Sequence, residues 1–105
     1  MGDEGAKSLA WALEKNATLG SLNLSSNTVG DEGAKSLASA LEKNAALHAH
    51  GLDLRSNSVG DEGCKSLASA LENNTTLHTL MLEFNLMGKE GAKTFTPRQR
   101  VSNVK

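Results

Sequence analysis

Apolar residues follow two alternating rhythms along this chain, and the alternation itself repeats. Ala6, Leu9, Ala10 and Leu13 stand at positions i, i+3, i+4 and i+7, as do Ala34, Leu37, Ala38 and Leu41, and then Cys64, Leu67, Ala68 and Leu71. That spacing puts four small or aliphatic side chains on one face of a helix. Each stripe gives way to apolar residues two apart: Leu22 and Leu24, Leu52 and Leu54, Leu80 and Leu82. A period of two sends each pair to one face of a short strand and its neighbours to the other. The pattern predicts one helix and one strand per unit.

The units are copies. GDEGAKSLAWALEKN at 2–16 recurs as GDEGAKSLASALEKN at 30–44 and GDEGCKSLASALENN at 60–74, and a fourth copy opens at 88 as GKEGAK. The intervals from Gly2 to Gly30, Gly60 and Gly88 lie in the range of stacked solenoid repeats. Asp3, Asp31 and Asp61 stand just before the stripes, where a carboxylate is expected to accept hydrogen bonds from the free N–H groups at the start of that helix. A single unit buries its leucines on one side only, so it has to stack on its neighbours. Each buried leucine contributes roughly 1.5–3 kcal/mol, which leaves a narrow margin over the entropy of ordering the chain.

The string LxxLxLxxN, present as Leu19, Leu22, Leu24 and Asn27 and again as Leu77, Leu80, Leu82 and Asn85, resembles the signature of leucine-rich repeats. With this repeat length and a true helix, the unit is similar to the ribonuclease-inhibitor-like subtype found in cytosolic nucleotide-binding leucine-rich-repeat receptors and in Ran GTPase-activating protein. The GDEGAKxLAxALxxN phrasing resembles the receptor group more. The resemblance covers residues 2–93. It implies an α/β solenoid, a right-handed superhelix with short parallel strands on the concave side and helices on the convex side. It also implies a ladder in which Asn27, Asn57 and Asn85 bond neighbouring backbones along the inside of the arc. The array is expected to span 1–95, three full repeats and the start of a fourth, with a flexible tail at 96–105.

Three places depart from the pattern. LHAHGLDL at 47–54 is two residues longer than LGSLNL at 19–24. An even insertion leaves later side chains on their faces, and a bulge is expected near His50, with Gly51 looping out the extra length. The fourth copy fails after Phe95, where Pro97 interrupts the helix and Thr96 and Gln99 replace the expected alanine and leucine. Neither end carries a polar capping repeat, so the chain reads as a piece of a longer array, or one with an altered C-terminus, able to associate end to end. Trp11 replaces Ser39 and Ser69, and is expected to shield an end layer in preference to serving as an exposed contact.

Composition narrows the chemistry. At 105 residues the chain is one domain, and with 3% aromatics its core is built from leucine, alanine and valine. A net charge of -1 gives no electrostatic footprint for nucleic acid or an anionic membrane, and Arg98, Arg100 and Lys105 read as solvating. No apolar run is long enough to span a bilayer, and no signal peptide is legible. Cys64 is the single cysteine, so no intramolecular disulfide can form; it reads as a small hydrophobe, and a cytoplasmic, reducing compartment is expected. Outside the secretory route, the sequons at Asn16, Asn23 and Asn74 are expected to stay unmodified. No phosphate-binding glycine loop is present, and the Asp-Glu pairs recur identically, as helix starts do and active sites do not. His48 and His78 occupy matching positions near His50 but lack a third ligand. No cofactor, metal or catalytic activity is expected.

What remains is a surface. The strand positions that alternate with the leucines are Ser21, Asn23 and Ser25; Gly51, Asp53 and Arg55; Thr79, Met81 and Glu83. They differ in size and charge while the helices barely change, as suits recognition of another protein. Arg55, between Asp53 and Glu83, is either an ion-pair member or an anchor for a partner, and Met81 offers an adaptable apolar contact. Three strands about 4.8 Å apart give a narrow strip, smaller than the roughly 800 Å² per partner of a specific complex. The expected role is therefore a protein-interaction segment of a larger scaffold or innate-immune-type sensor. The alternatives are part of a small-GTPase regulator, or a fragment with no independent function.

Overall fold

The computed structural model describes residues 1–15, 20–43, 51–73 and 79–95. Helices and strands alternate: α1 (Asp3–Leu13), β1 (Ser21–Asn23), α2 (Asp31–Lys43), β2 (Gly51–Asp53), α3 (Asp61–Asn73), β3 (Thr79–Met81) and α4 (Lys89–Lys93). The strands form one parallel sheet in the order β1-β2-β3, which a helical crossover between successive strands permits. Helices pack in the same order, α1 on α2, α2 on α3 and α3 on α4.

The core is one cluster drawn from both layers. Leu37 and Leu67 of the helices and Leu54, Leu80 and Leu82 of the strand segments are fully enclosed, with Val29 and Val59 beside them. Leu24, Leu54 and Leu82 are all buried, so the strand pairs do point inward. Leu9 and Leu22, in the first repeat, are half-buried against the same cluster.

The register pairs Ser21 with Gly51 and Gly51 with Thr79, although the first interval in sequence is longer than the second by the whole insertion. The extra length is thus absorbed before β2. The bulge expected near His50 lies outside the described residues, as do His48, His78, Asn16, Asn74 and the segment 96–105. Gly51 itself does not loop out: it opens β2, and no described glycine has a positive φ. Pairing on both sides holds it in extended backbone.

The aspartates also act differently from the expectation. Asp3 does not cap its own helix; its Oδ1 accepts from the N–H groups of Gly30 at 2.7 Å and Gly33 at 2.9 Å, at the start of α2. Asp31 does the same for Gly60 and Gly63 of the third repeat, and Asp61 for Gly88 and Gly91 of the fourth. Each carboxylate therefore caps the next helix, where its charge complements the positive end of the helix dipole. The glycines make room for it. A Cβ on Gly33 would stand 2.7 Å from Asp3 Oδ1 and 2.8 Å from Val29 Cγ1, closer than real contacts allow.

Helix α4 has only five residues, and the Thr94 hydroxyl donates to the Gly91 carbonyl at 2.6 Å. Phe95, in the place of Leu9, Leu37 and Leu67, packs partly buried against the core. Trp11 does not shield a layer: it is 63% exposed, with the Lys15 ammonium 4.5 Å from its ring centroid. Its position on the helix corresponds to the partly exposed Ser39 and exposed Ser69, so the ring points away from the core.

Candidate functional site

After each strand the chain turns back toward its helix through three matching residues. Ser26, Ser56 and Phe84 adopt φ values of 58°, 57° and 61°, the left-handed region that costs a side-chain-bearing residue roughly 1–2 kcal/mol. Backbone bonds across the repeats hold the turn: Ser26 N–H donates to the Arg55 carbonyl and Ser56 N–H to the Glu83 carbonyl, both at 2.9 Å.

The asparagines lock these turns together. Asn57 Oδ1 accepts from Val29 N–H at 2.9 Å, and its Nδ2 donates to the carbonyls of Leu24, Leu54 and Arg55. Asn85 repeats the arrangement one layer on, accepting from Val59 N–H and donating to Leu54, Leu82 and Glu83. Asn27 donates only to Leu24 and Ser25 of its own repeat, while its Oδ1 accepts from the Met1 amino group. Bonds that leave few donors or acceptors for anything else make these residues scaffold.

The strand positions expected to be on display divide into two groups. In the first repeat, Ser21 and Asn23 are exposed and Ser25 is half-buried. Asn23 Oδ1 accepts from the Ser25 N–H at 2.9 Å and the Ser25 hydroxyl at 2.7 Å. The second repeat uses the same brace with charge: Asp53 accepts from Arg55 N–H, Nε and a terminal guanidinium nitrogen at 3.1, 2.9 and 2.7 Å. Asp53 is consequently only 5% exposed and does not present its carboxylate, contrary to expectation. The Arg55 hydrogen bonds hold that carboxyl below its ordinary range, against the opposing effect of burial. Arg55 covers it and stays 43% exposed.

In the third repeat the brace is gone. Met81 occupies the rung of Asn23 and Asp53 and has no carboxylate or amide to offer; it is half-buried, like Glu83, while Thr79 is exposed. Phe84 stands in the column of Ser26 and Ser56, and Leu86 in that of Thr28 and Ser58. They are 73% and 70% exposed. Three polar columns thus turn apolar together. Alternation alone missed Phe84 and Leu86, because they lie past the strand; reading the columns through the turn would have found them.

Cys64 contributes nothing to this surface. It is fully buried, its Sγ lies 3.5 Å from Met87 Sδ, and burial, reinforced by Asp61 and Asp31, pushes the thiol up to about 12. Among the described residues no cluster of His, Cys, Asp or Glu is arranged to hold a metal ion. No described helix is long and apolar enough to cross a membrane.

The family described as Leucine Rich repeat matches residues 15–38, 52–68 and 73–95, together more than half of the chain. The chain belongs to the leucine-rich-repeat family. No curated relative matches it significantly in sequence. Among solved structures, the leucine-rich-repeat chain is similar to one titled Leiomodin-1 Actin-Binding Site 2 (ABS2), at 26% identity and a TM-score of 0.74. The match covers 88% of this chain and 54% of that one, so the chain spans about half the length of its structural neighbour. An interaction module is the role these likenesses support.

Proposed function

We propose that this leucine-rich-repeat chain is a non-catalytic binding module that docks a protein partner on the strand-and-turn surface of its third repeat. The observation that carries the reading is the joint replacement of polar residues by Met81, Phe84 and Leu86 at the positions of Asn23 or Asp53, Ser26 or Ser56, and Thr28 or Ser58. Water-exposed aromatic and aliphatic side chains at one end of a polar surface are what protein interfaces use as anchors. Ser21, Asn23, Ser25, Arg55, Thr79 and Glu83 would form the polar remainder of the contact. Asp53 would serve by holding Arg55 in place.

The GDEGAK phrasing supports a place in a larger cytoplasmic scaffold or sensor of the receptor kind. The leiomodin likeness favours a second reading, in which the partner is actin. Affinity capture with the wild-type chain and with the triple variant M81N/F84S/L86S tests the surface. A partner held by the wild type and lost by the variant supports it, and equal retention by both refutes it. Co-sedimentation with actin tests the second reading, which fails if the chain stays in the supernatant at saturating actin.

A further inference from the structure

The charges bordering the apolar surface say what kind of segment it fits. Arg55 precedes the donor and Phe84 follows the acceptor of one hydrogen bond, from the Ser56 N–H to the Glu83 carbonyl at 2.9 Å, and Asp53 pairs with Met81 in the sheet register. Asp53, Arg55 and Glu83 therefore stand at the edge of the Met81, Phe84 and Leu86 surface. Arg55 cannot be re-aimed at an arriving acid without loss: its Nε and one terminal nitrogen are held on the buried Asp53 carboxylate at 2.9 and 2.7 Å, a two-pronged pairing that fixes the planar guanidinium. Asp53 through its hydrogen bonds, and Glu83 through its charge, both push the Arg55 pKa up from its ordinary value, so the guanidinium already answers two carboxylates. The trio carries one net negative charge. In the first repeat the neutral Asn23 and Ser25 make the matching brace, so the turn does not require charge here.

We propose that the segment docked on this surface is apolar with a lysine or arginine beside its anchor residue, and that acid-bearing segments are turned away. The inference rests on the third-repeat surface being the docking site, and adds the partner's chemistry to it. A cation arriving beside Phe84 is attracted by the Glu83 carboxylate, while a carboxylate there is repelled by Glu83 and finds the guanidinium engaged; like charges facing across an interface are what excludes wrong partners. Asp53 contributes by keeping Arg55 from receiving an outside acid.

A library of random peptides displayed on phage, panned on the full chain and counter-screened on M81N/F84S/L86S, tests the proposal. Peptides that need the apolar surface should carry lysine or arginine more often than aspartate or glutamate, and a selected peptide remade with glutamate in place of its basic residue should bind roughly tenfold more weakly. Glu83→Lys should reverse the preference and Glu83→Gln should reduce it, with circular dichroism confirming that each variant is folded. A wild-type chain that selects acidic peptides, or a preference that both Glu83 variants leave unchanged, would overturn the proposal while the docking surface stands. No selected peptide, or only peptides held equally by the wild type and the triple variant, would overturn the surface and this inference with it.

Discussion

Replacing Asn57 with alanine isolates what holds adjacent repeats together. Asn57 is 7% exposed, and two of its four hydrogen bonds cross to the first repeat: Val29 N–H at 2.9 Å and the Leu24 carbonyl at 2.8 Å. Each such bond contributes about 1 kcal/mol net, and a buried donor left without an acceptor costs about 1–3 kcal/mol more. Alanine removes both bonds and strands the N–H of the fully buried Val29, so N57A should lose about 3 kcal/mol. Asn27 provides the internal control. Its Nδ2 bonds stay within the first repeat and its Oδ1 meets only the exposed Met1 amine, so N27A should lose about 1 kcal/mol. Urea unfolding followed by far-ultraviolet circular dichroism measures both. At a slope of about 1.5–2 kcal/mol per M, the N57A midpoint should fall by about 1.5–2 M. If N57A costs no more than N27A, the bonds between repeats are not what the asparagine supplies, and the reasoning fails.

Other substitutions probe the remaining joints. D31A should increase amide hydrogen exchange at Gly60 and Gly63 of the third repeat more than in the first turn of its own helix α2; the reverse order would mean that the carboxylate caps locally. Asp53 titrates below its ordinary value of 3.8 because Arg55 binds the ionised form, so the pair stabilises the fold above that value and the gain is lost as pH falls through the lowered one. The stability difference between wild type and D53N should therefore shrink on acidification, and a difference constant with pH would contradict the assignment. Cys64, buried with its thiol pushed up to about 12, should resist a thiol reagent at mildly alkaline pH in the native protein and react at once in urea. F84N should unfold at higher urea than the wild type, because asparagine tolerates a left-handed φ and the lost ring was mostly in water; a lower midpoint would mean that the ring packs in the fold.

Helices and strands were legible because burial imposes a period, while the parallel order of the strands was what the resemblance to leucine-rich repeats implied. Leu37 and Leu67 must lie on one helical face, and Leu54 and Leu82 on one side of a strand, or the layers cannot close. The aspartate joint was not legible, since Asp31 beside its own helix start looks like a local cap, and only stacking brings it to Gly60, a full repeat away along the chain. The paired glycines of GDEG carried the signal: two positions lacking a Cβ around an acidic residue imply a close approach from elsewhere. Asp53 was expected outward by alternation, and it does leave the leucine face. Arg55, two residues on and on the same side, then folds over it, which a period of two cannot express. Phe84 was missed for a related reason: its exposure follows from a turn conformation shared with Ser26 and Ser56, not from a strand period.

The contacts between repeats also explain why variation is confined where it is. Asp31, Gly33 and Asn57 are each touched from a neighbouring layer, so changing one breaks two repeats and the copies stay nearly identical there. The side chains in the columns of Asn23 and Ser26 meet solvent or only local partners, and in the column of Thr28, whose hydroxyl donates to the Met1 carbonyl, Leu86 is exposed, so a change in them spares the joints made by Asp31, Gly33 and Asn57. The third repeat alters all three columns at once, and one of the alterations, Phe84, places a large ring on a left-handed backbone that stability alone would give to asparagine or glycine. If F84N does stabilise the fold, the 73% exposed ring of Phe84 is one the fold does not need, which is what the proposed docking surface expects of an anchor.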